Sequence, residues 1–109
     1  MKVCIFGAGA IGGFIGTRLA TAGGCSVAAV ARGATLAALQ TQGWRLRQRG
    51  ELLQATAIAS ADPATLGVMD LVVVAVKGPA LTDVARRMAP LLGEHTIVLP
   101  AMNGVPWWF

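Results

Sequence analysis

Four groups of residues in this chain have the types and spacing to act on a ligand. The first is Gly7-Ala8-Gly9-Ala10-Ile11-Gly12, a G-x-G-x-x-G run with no charged side chain in it. The second is Arg32, set between Ala31 and Gly33; the third is Lys77; the fourth is Asn103, followed by Gly104. Glycines at the first spacing, placed directly after a strand and opening a helix, let a diphosphate come close to bare backbone. Gly7 lets the chain turn sharply, Gly9 leaves room for the phosphate, and Gly12 lets the helix lie close to the sheet. Ala8, Ala10 and Ile11 complete the loop. The free N–H groups of the first helical turn, with the helix dipole, then supply the positive field.

Such a loop predicts a dinucleotide, and Arg32 predicts which one. Sheets that bind NAD carry Asp or Glu at the end of the second strand, where it accepts hydrogen bonds from the ribose hydroxyls. Here the second strand ends Val30-Ala31, and Arg32 follows. An acid would repel an additional phosphate, whereas a guanidinium binds one through two parallel hydrogen bonds. The pattern therefore predicts NADP rather than NAD. Lys77 and Asn103 each follow a predicted strand, at the end where open parallel sheets bind ligands. Lys77 could make a charge contact with cofactor or substrate, or be an ordinary loop lysine. Asn103 could serve the cofactor's ribose or a substrate carbonyl, or make only an Asn-Gly turn. The pattern alone leaves both alternatives open.

The elements that position these residues follow from apolar periodicity. Lys2–Phe6 reads as a buried strand stopped by Gly7. Over Ala10–Ala22 the apolar residues Ile11, Phe14, Ile15 and Leu19 recur at helical spacing, and Gly23-Gly24 ends the pattern. Ser26–Ala31 is a second strand and Gly33–Gln42 a second helix, ended by Gly43. Trp44–Arg49 and Leu52–Ile58 alternate, predicting a hairpin inserted as an antiparallel addition to the sheet. Asp62-Pro63 marks a turn or short helix start. Leu71–Val76 is an uninterrupted apolar run, the mark of a strand covered on both faces. Pro79 opens a helix running to about Met88 and ending near Pro90, and Thr96–Leu99 is a last strand. Strands alternating with helices predict an α/β fold: a Rossmann-like, doubly wound, mostly parallel sheet with helices on both faces.

Length and composition bound the rest. The 109 residues allow one domain, and 55% hydrophobic against 13% charged residues predicts an apolar face that needs a partner domain or subunit. The net charge of +4 comes from scattered Lys and Arg, only Arg45, Arg47 and Arg49 lying close together, and Tyr is absent. That argues against nucleic acid and for a small anionic ligand. Two cysteines and one histidine in no ligand spacing argue against a metal site, and Cys4 and Cys25 read as small buried thiols. The apolar opening is broken by five glycines before Thr17, which predicts neither an export signal nor a membrane span, and so a cytoplasmic protein. His95 reads as a solvated loop residue, Asp70 as a cap or turn, and Arg86 and Arg87 as a solvated helix face.

On these residues the chain resembles the amino-terminal domain of the ketopantoate reductase (2-dehydropantoate 2-reductase) family. The resemblance is carried by MKVCIFGAGAIGG at the start, Ala31-Arg32-Gly33, DLVVVAVKG around Lys77, and Asn103-Gly104. It implies reduction of a 2-oxo acid to a 2-hydroxy acid by NADPH, 2-dehydropantoate to pantoate in pantothenate biosynthesis. It also implies that Gly7 to Gly12 hold the pyrophosphate and Arg32 the 2′-phosphate. Lys77 would contact NADP, and Asn103 both cofactor and substrate. The resemblance spans residues 1–109 as an NADP-binding domain but only the first part of a family enzyme. A helical second domain with the catalytic Lys and a Glu is expected beyond it, so the isolated chain is expected to bind cofactor without turnover. Val105-Pro106-Trp107-Trp108-Phe109 departs from the smaller, glycine-rich continuation of the pathway enzymes. Those aromatics would line a substrate pocket or pack on the further domain. A homodimer is compatible with the apolar surface. Two alternatives stand beside this reading: a non-catalytic nucleotide-sensing or interaction module, and another NADP-dependent hydroxyacid dehydrogenase.

Overall fold

In the computed structural model residues 1–7, 10–75 and 86–100 are described. Strand β1 (Lys2–Phe6) lies at the centre of a five-stranded parallel sheet, because Val3, Cys4, Ile5 and Phe6 are buried on both faces. Helix α1 (Ala10–Ala22) returns the chain, and β2 (Ser26–Val30) pairs with β1 in parallel. Helix α2 (Gly33–Gln42) follows; its end at Gly43, whose N–H donates to Leu39 O at 2.9 Å, is where the glycine predicts it. Next come β3 (Trp44–Gln48), β4 (Glu51–Ala55), β5 (Ile58–Ser60), β6 (Met69–Val74) and β7 (Leu92–Pro100). The sheet order is β5-β2-β1-β6-β7. The chain thus winds outward from β1 in one direction, returns, and winds outward in the other, as the doubly wound prediction requires.

Alternate residues of each central strand feed opposite faces, as the two-residue period dictates. Val3, Ile5, Val27, Ala29 and Val73 join α1 and α2 through Ile15, Leu19 and Leu39. Cys4, Phe6, Val30, Val72 and Val74 face Leu66, Met88 and Leu91. On that second face the crossover from β5 to β6 is a single 3-10 turn, Pro63–Thr65, rather than a helix. Asp62 caps it, its Oδ1 accepting from Ala64 N at 3.0 Å.

Several expectations are corrected. The hairpin forms, with Trp44 opposite Ala55 and Gln48 opposite Glu51, but as a separate two-stranded sheet packed on α1 rather than an addition to the main sheet. Its second strand stops at Ala55, and Ile58 belongs instead to β5, parallel to β2 with Ala29 opposite Ala59 and Val30 opposite Ser60. A three-residue strand of small residues carries too little periodicity to be told from the alternation before it. Asp70 lies within β6, where its carboxylate accepts from Lys2 N at 2.7 Å and so satisfies the first N–H of β1.

The last strand is longer than Thr96–Leu99. β7 begins at Leu92, opposite Met69, and its register shifts before Ile97 pairs with Leu71. Thr96 closes the irregularity, its hydroxyl donating to Met69 O at 2.6 Å and accepting from Gly93 N at 2.7 Å. His95 is exposed, as expected, but in this strand rather than in a loop. Strand β6 runs two residues earlier than predicted, and Val76 lies outside the described residues. So does the start of the helix opened by Pro79, although Arg86 and Arg87 are helical and lead into a 3-10 turn at Ala89–Leu91. Arg87 is half-buried, not solvated: its guanidinium lies 5.5 Å from the Phe6 ring centroid and donates to Ala61 O.

Candidate functional site

The candidate site grows from the register of the central strands. Phe6 pairs with Val30 on one side and with Val74 on the other. The ladders run one step further: Gly7 N donates to Val30 O at 3.0 Å and Ala75 N to Phe6 O at 2.9 Å. The carboxyl ends of β1, β2 and β6 therefore lie side by side, at the point where the strand order reverses. In open parallel sheets that crevice is where ligands bind.

At this edge Gly7 has φ +90, a conformation that L side chains rarely adopt, and the chain turns out of the sheet to begin α1 at Ala10. Gly12 sits in the first turn of α1. A Cβ there would lie 2.3 Å from Gly7 O and 3.1 Å from Ile5 Cγ2, so only glycine allows the helix to rest so low on the strand. The first N–H groups of a helix lack intrahelical partners. No acidic side chain stands in the first turn of α1 to occupy them.

One strand over, β2 delivers buried Ala31 and then exposed Arg32. Ala31 N donates to Ser60 O at 3.1 Å, holding the strand end in line with β5. Arg32 is extended, with φ −138 and ψ 161, and occupies the N-cap position of α2 without capping it. Its guanidinium has no hydrogen-bond or ion-pair partner among the described residues. The nearest strand-end carboxylate in sequence, Asp62 after β5, is engaged as a cap.

The structure thus brings Gly7, Ala10, Ile11, Gly12 and Arg32 to one sheet edge. Ala8, Gly9, Lys77 and Asn103 lie outside the described residues. Ala75 and Pro100, shortly before Lys77 and Asn103, stand on that same edge, since Pro100 pairs with Val74. Cys4 is buried in β1, and burial pushes its thiol up to about 12, against a smaller opposing effect of a hydrogen bond with the Val30 backbone. Cys25 is half-buried. Among the described residues no three His, Cys, Asp or Glu cluster to hold a metal, and no helix is long and apolar enough to cross a membrane.

Two residues near the site escaped the sequence reading. Trp44 is buried against α1, and the signal for it was a tryptophan opening an alternating run that is otherwise polar on its outer side. Arg87 straps the residue before the glycine turn, and nothing in its own segment sets it apart from Arg86.

The fold and the edge geometry define a Rossmann-like doubly wound domain. The family model described as ketopantoate reductase PanE/ApbA matches residues 3–106, and the chain belongs to that family. It is 50% identical over 109 residues to a 2-dehydropantoate 2-reductase of Mesorhizobium japonicum, covering 100% of this chain and 33% of the relative. A crystal structure of a ketopantoate reductase from Ralstonia solanacearum MolK2 superposes with TM-score 0.87 at 55% identity, over 98% of this chain and 33% of that one. A PanE/ApbA family ketopantoate reductase from Ralstonia eutropha JMP134 gives TM-score 0.85 at 38% identity, over 95% of this chain and 35% of that one. The chain spans about a third of the length of these relatives.

Proposed function

We propose that this chain binds NADPH and is the cofactor-holding part of a cytoplasmic reductase that converts a 2-oxo acid to a 2-hydroxy acid, 2-dehydropantoate to pantoate in pantothenate biosynthesis. One observation carries the reading. The low-lying glycine turn and an exposed arginine, free of partners among the described residues, share one sheet edge where an NAD enzyme would have an acid.

The residues divide the work by charge. The opening N–H groups of α1, with Gly7 to Gly12, receive the diphosphate, and the helix dipole adds to the attraction. Arg32 offers a planar fork to the 2′-phosphate, and Ala31 beside it brings no competing carboxylate. By likeness to the family, Lys77 adds a charge contact, and Asn103 donates to and accepts from cofactor and substrate. The chemistry supplied by the nicotinamide is delivery of a hydride to the C2 carbonyl carbon. No proton donor is assigned among these 109 residues, and we place it in the remaining two thirds of the family length. The exposed side chains of Ile97, Val98 and Leu99 on β7 offer that remainder an apolar surface. The 109 residues alone are then expected to bind cofactor and turn nothing over.

Titration calorimetry with NADPH and NADH tests the reading. The wild-type chain is expected to prefer NADPH, and Arg32→Ala is expected to weaken NADPH about 10- to 100-fold while leaving NADH within about two-fold, the scale of lost charge-assisted hydrogen bonds. No uptake of either nucleotide by folded protein refutes cofactor binding. Equal weakening of both refutes the role of Arg32.

A further inference from the structure

We propose that Trp44 is a positioning residue for the cofactor, setting the spacing between the phosphate-binding end of α1 and Arg32 at the end of β2. The inference rests on the cofactor reading above and assigns that site a specificity element outside its own loops. Trp44 opens the hairpin, which does not belong to the main sheet, yet its side chain is 1% exposed. Two observations fix where it goes. A Cβ on Gly16 would lie 2.4 Å from Trp44 Cζ3 and 2.5 Å from Cη2, so the indole is pressed onto the backbone of α1 one turn below Gly12. Its Nε1 donates to Val27 O on β2 at 3.1 Å, inside the protein. One rigid ring therefore touches both the helix that opens toward the diphosphate and, at Val27, the strand that leads to Arg32.

The base of the indole is also held. A Cβ on Gly43 would meet Ala55 O at 2.3 Å, so the start of β3 is packed on the end of β4. Trp44 and Ala55 are paired across the hairpin. The ring cannot retreat without moving the hairpin, and α1 cannot settle closer to β2 while the ring is there. α1 and β2 each bear one half of the proposed phosphate recognition. A ligand with both a diphosphate and a 2′-phosphate senses the distance between them; one with the diphosphate alone offers Arg32 no phosphate and senses it less. A ring that only fills the core would affect stability without changing the ratio of the two affinities.

The test compares the wild-type chain with Trp44→Phe, which keeps a planar ring but loses the Nε1 donor, and Trp44→Leu, which leaves the slot under-filled. Dissociation constants for NADPH and NADH are measured calorimetrically, at a temperature where circular dichroism shows each variant folded. Trp44→Leu is expected to weaken NADPH about ten-fold and NADH no more than about two-fold, while Trp44→Phe stays within about three-fold of wild type for both, a partial loss of the Arg32 contact. Hydrogen exchange of the Trp44 indole N–H in the wild type repeats the test with no substitution, in case Trp44→Leu does not fold. NADPH is expected to slow that exchange more than NADH does. An unchanged NADPH/NADH ratio in folded Trp44→Leu, or equal slowing by the two nucleotides, overturns the role of Trp44 and leaves the cofactor reading standing. Failure of the wild type to bind NADPH overturns both.

Discussion

Gly12 and Gly13 are neighbours in the first turns of α1, and the structure predicts opposite outcomes for the same substitution at each. On intrinsic propensity, Gly→Ala inside a helix stabilises by up to about 1 kcal/mol. At Gly13 nothing among the described residues lies within 4 Å of the added Cβ, so that gain is unopposed. At Gly12 the Cβ would stand 2.3 Å from Gly7 O, a backbone atom that no rotamer change can move aside. Ordinary contact begins near 3.4 Å. The helix must therefore lift by about 1 Å, and overpacking of that kind costs about 1–3 kcal/mol, more than the propensity gain. For a domain of this size 1 kcal/mol corresponds to roughly 4–8 °C in Tm. Gly13→Ala should melt a few degrees above wild type, and Gly12→Ala several degrees below it. Binding should separate further, because a helix lifted by about 1 Å carries its opening N–H groups out of the roughly 2.7–3.2 Å range of good hydrogen bonds. Thermal melts by circular dichroism and NADPH titration on the same preparations give both numbers. If Gly12→Ala melts and binds like Gly13→Ala, the close seating of α1 on β1 is wrong, and with it the cradle at this edge.

Two further outcomes follow from buried polar atoms. Thr17 is buried, and its Oγ1 has no hydrogen-bond partner among the described residues, so Thr17→Val, of nearly the same shape, should raise the unfolding free energy by about 1 kcal/mol; a lower urea midpoint would contradict this. Cys4 gives a pH signature. Its thiol is pushed up to about 12 by burial, while the unfolded thiol has the ordinary value of 9.0. The folded state holds a proton that the unfolded state releases, so the contribution of Cys4 is full below pH 9 and is lost as pH rises from 9 toward 12, by up to about 1.4 kcal/mol per pH unit. Urea midpoints across that range should fall less steeply in Cys4→Ala, and identical slopes would remove Cys4 as the cause.

The parts of this fold legible in the sequence are those whose signal is local. Gly7, Gly12, Gly43 and the apolar runs of β1 and β6 each declare their role within a few residues. The strand-turn-helix context marks this edge within the sequence itself. The parts that were not legible depend on distant partners. Ile58–Ser60 is a strand only because β2 offers a parallel edge with Ala29 opposite Ala59. Trp44 reads as one end of a hairpin alternation, and its burial follows from Gly16, 28 positions earlier in the chain. Arg87 departs from Arg86 because the turn of the helix aims one at Phe6 and the other at solvent. Thr96 extends β7 back to Leu92 by bonding Met69 O across the register shift, which no pattern within 92–99 announces.

The distribution of burial across the sheet separates two functions along it. β1, β2 and β6 bury nearly every apolar residue they carry, and between them they position the glycine turn and Arg32. β7 exposes eight of its nine positions and buries none fully, with Ile97 62% exposed and Leu99 48% exposed, although it runs along the whole length of β6. Among the described residues no strand pairs with the outer side of β7, and an exposed apolar edge strand of a parallel sheet is a surface suited to covering. The proposed phosphate cradle follows β1, two strands inward with β6 between, so its geometry does not depend on what covers β7. The proposed substrate contact does, because Asn103 comes three residues after the end of that strand. On the proposed reading, phosphate recognition by the glycine turn and Arg32 belongs to these 109 residues, and substrate recognition is shared with whatever packs on β7. Loss of the second without the first is the outcome expected when this chain is assayed alone.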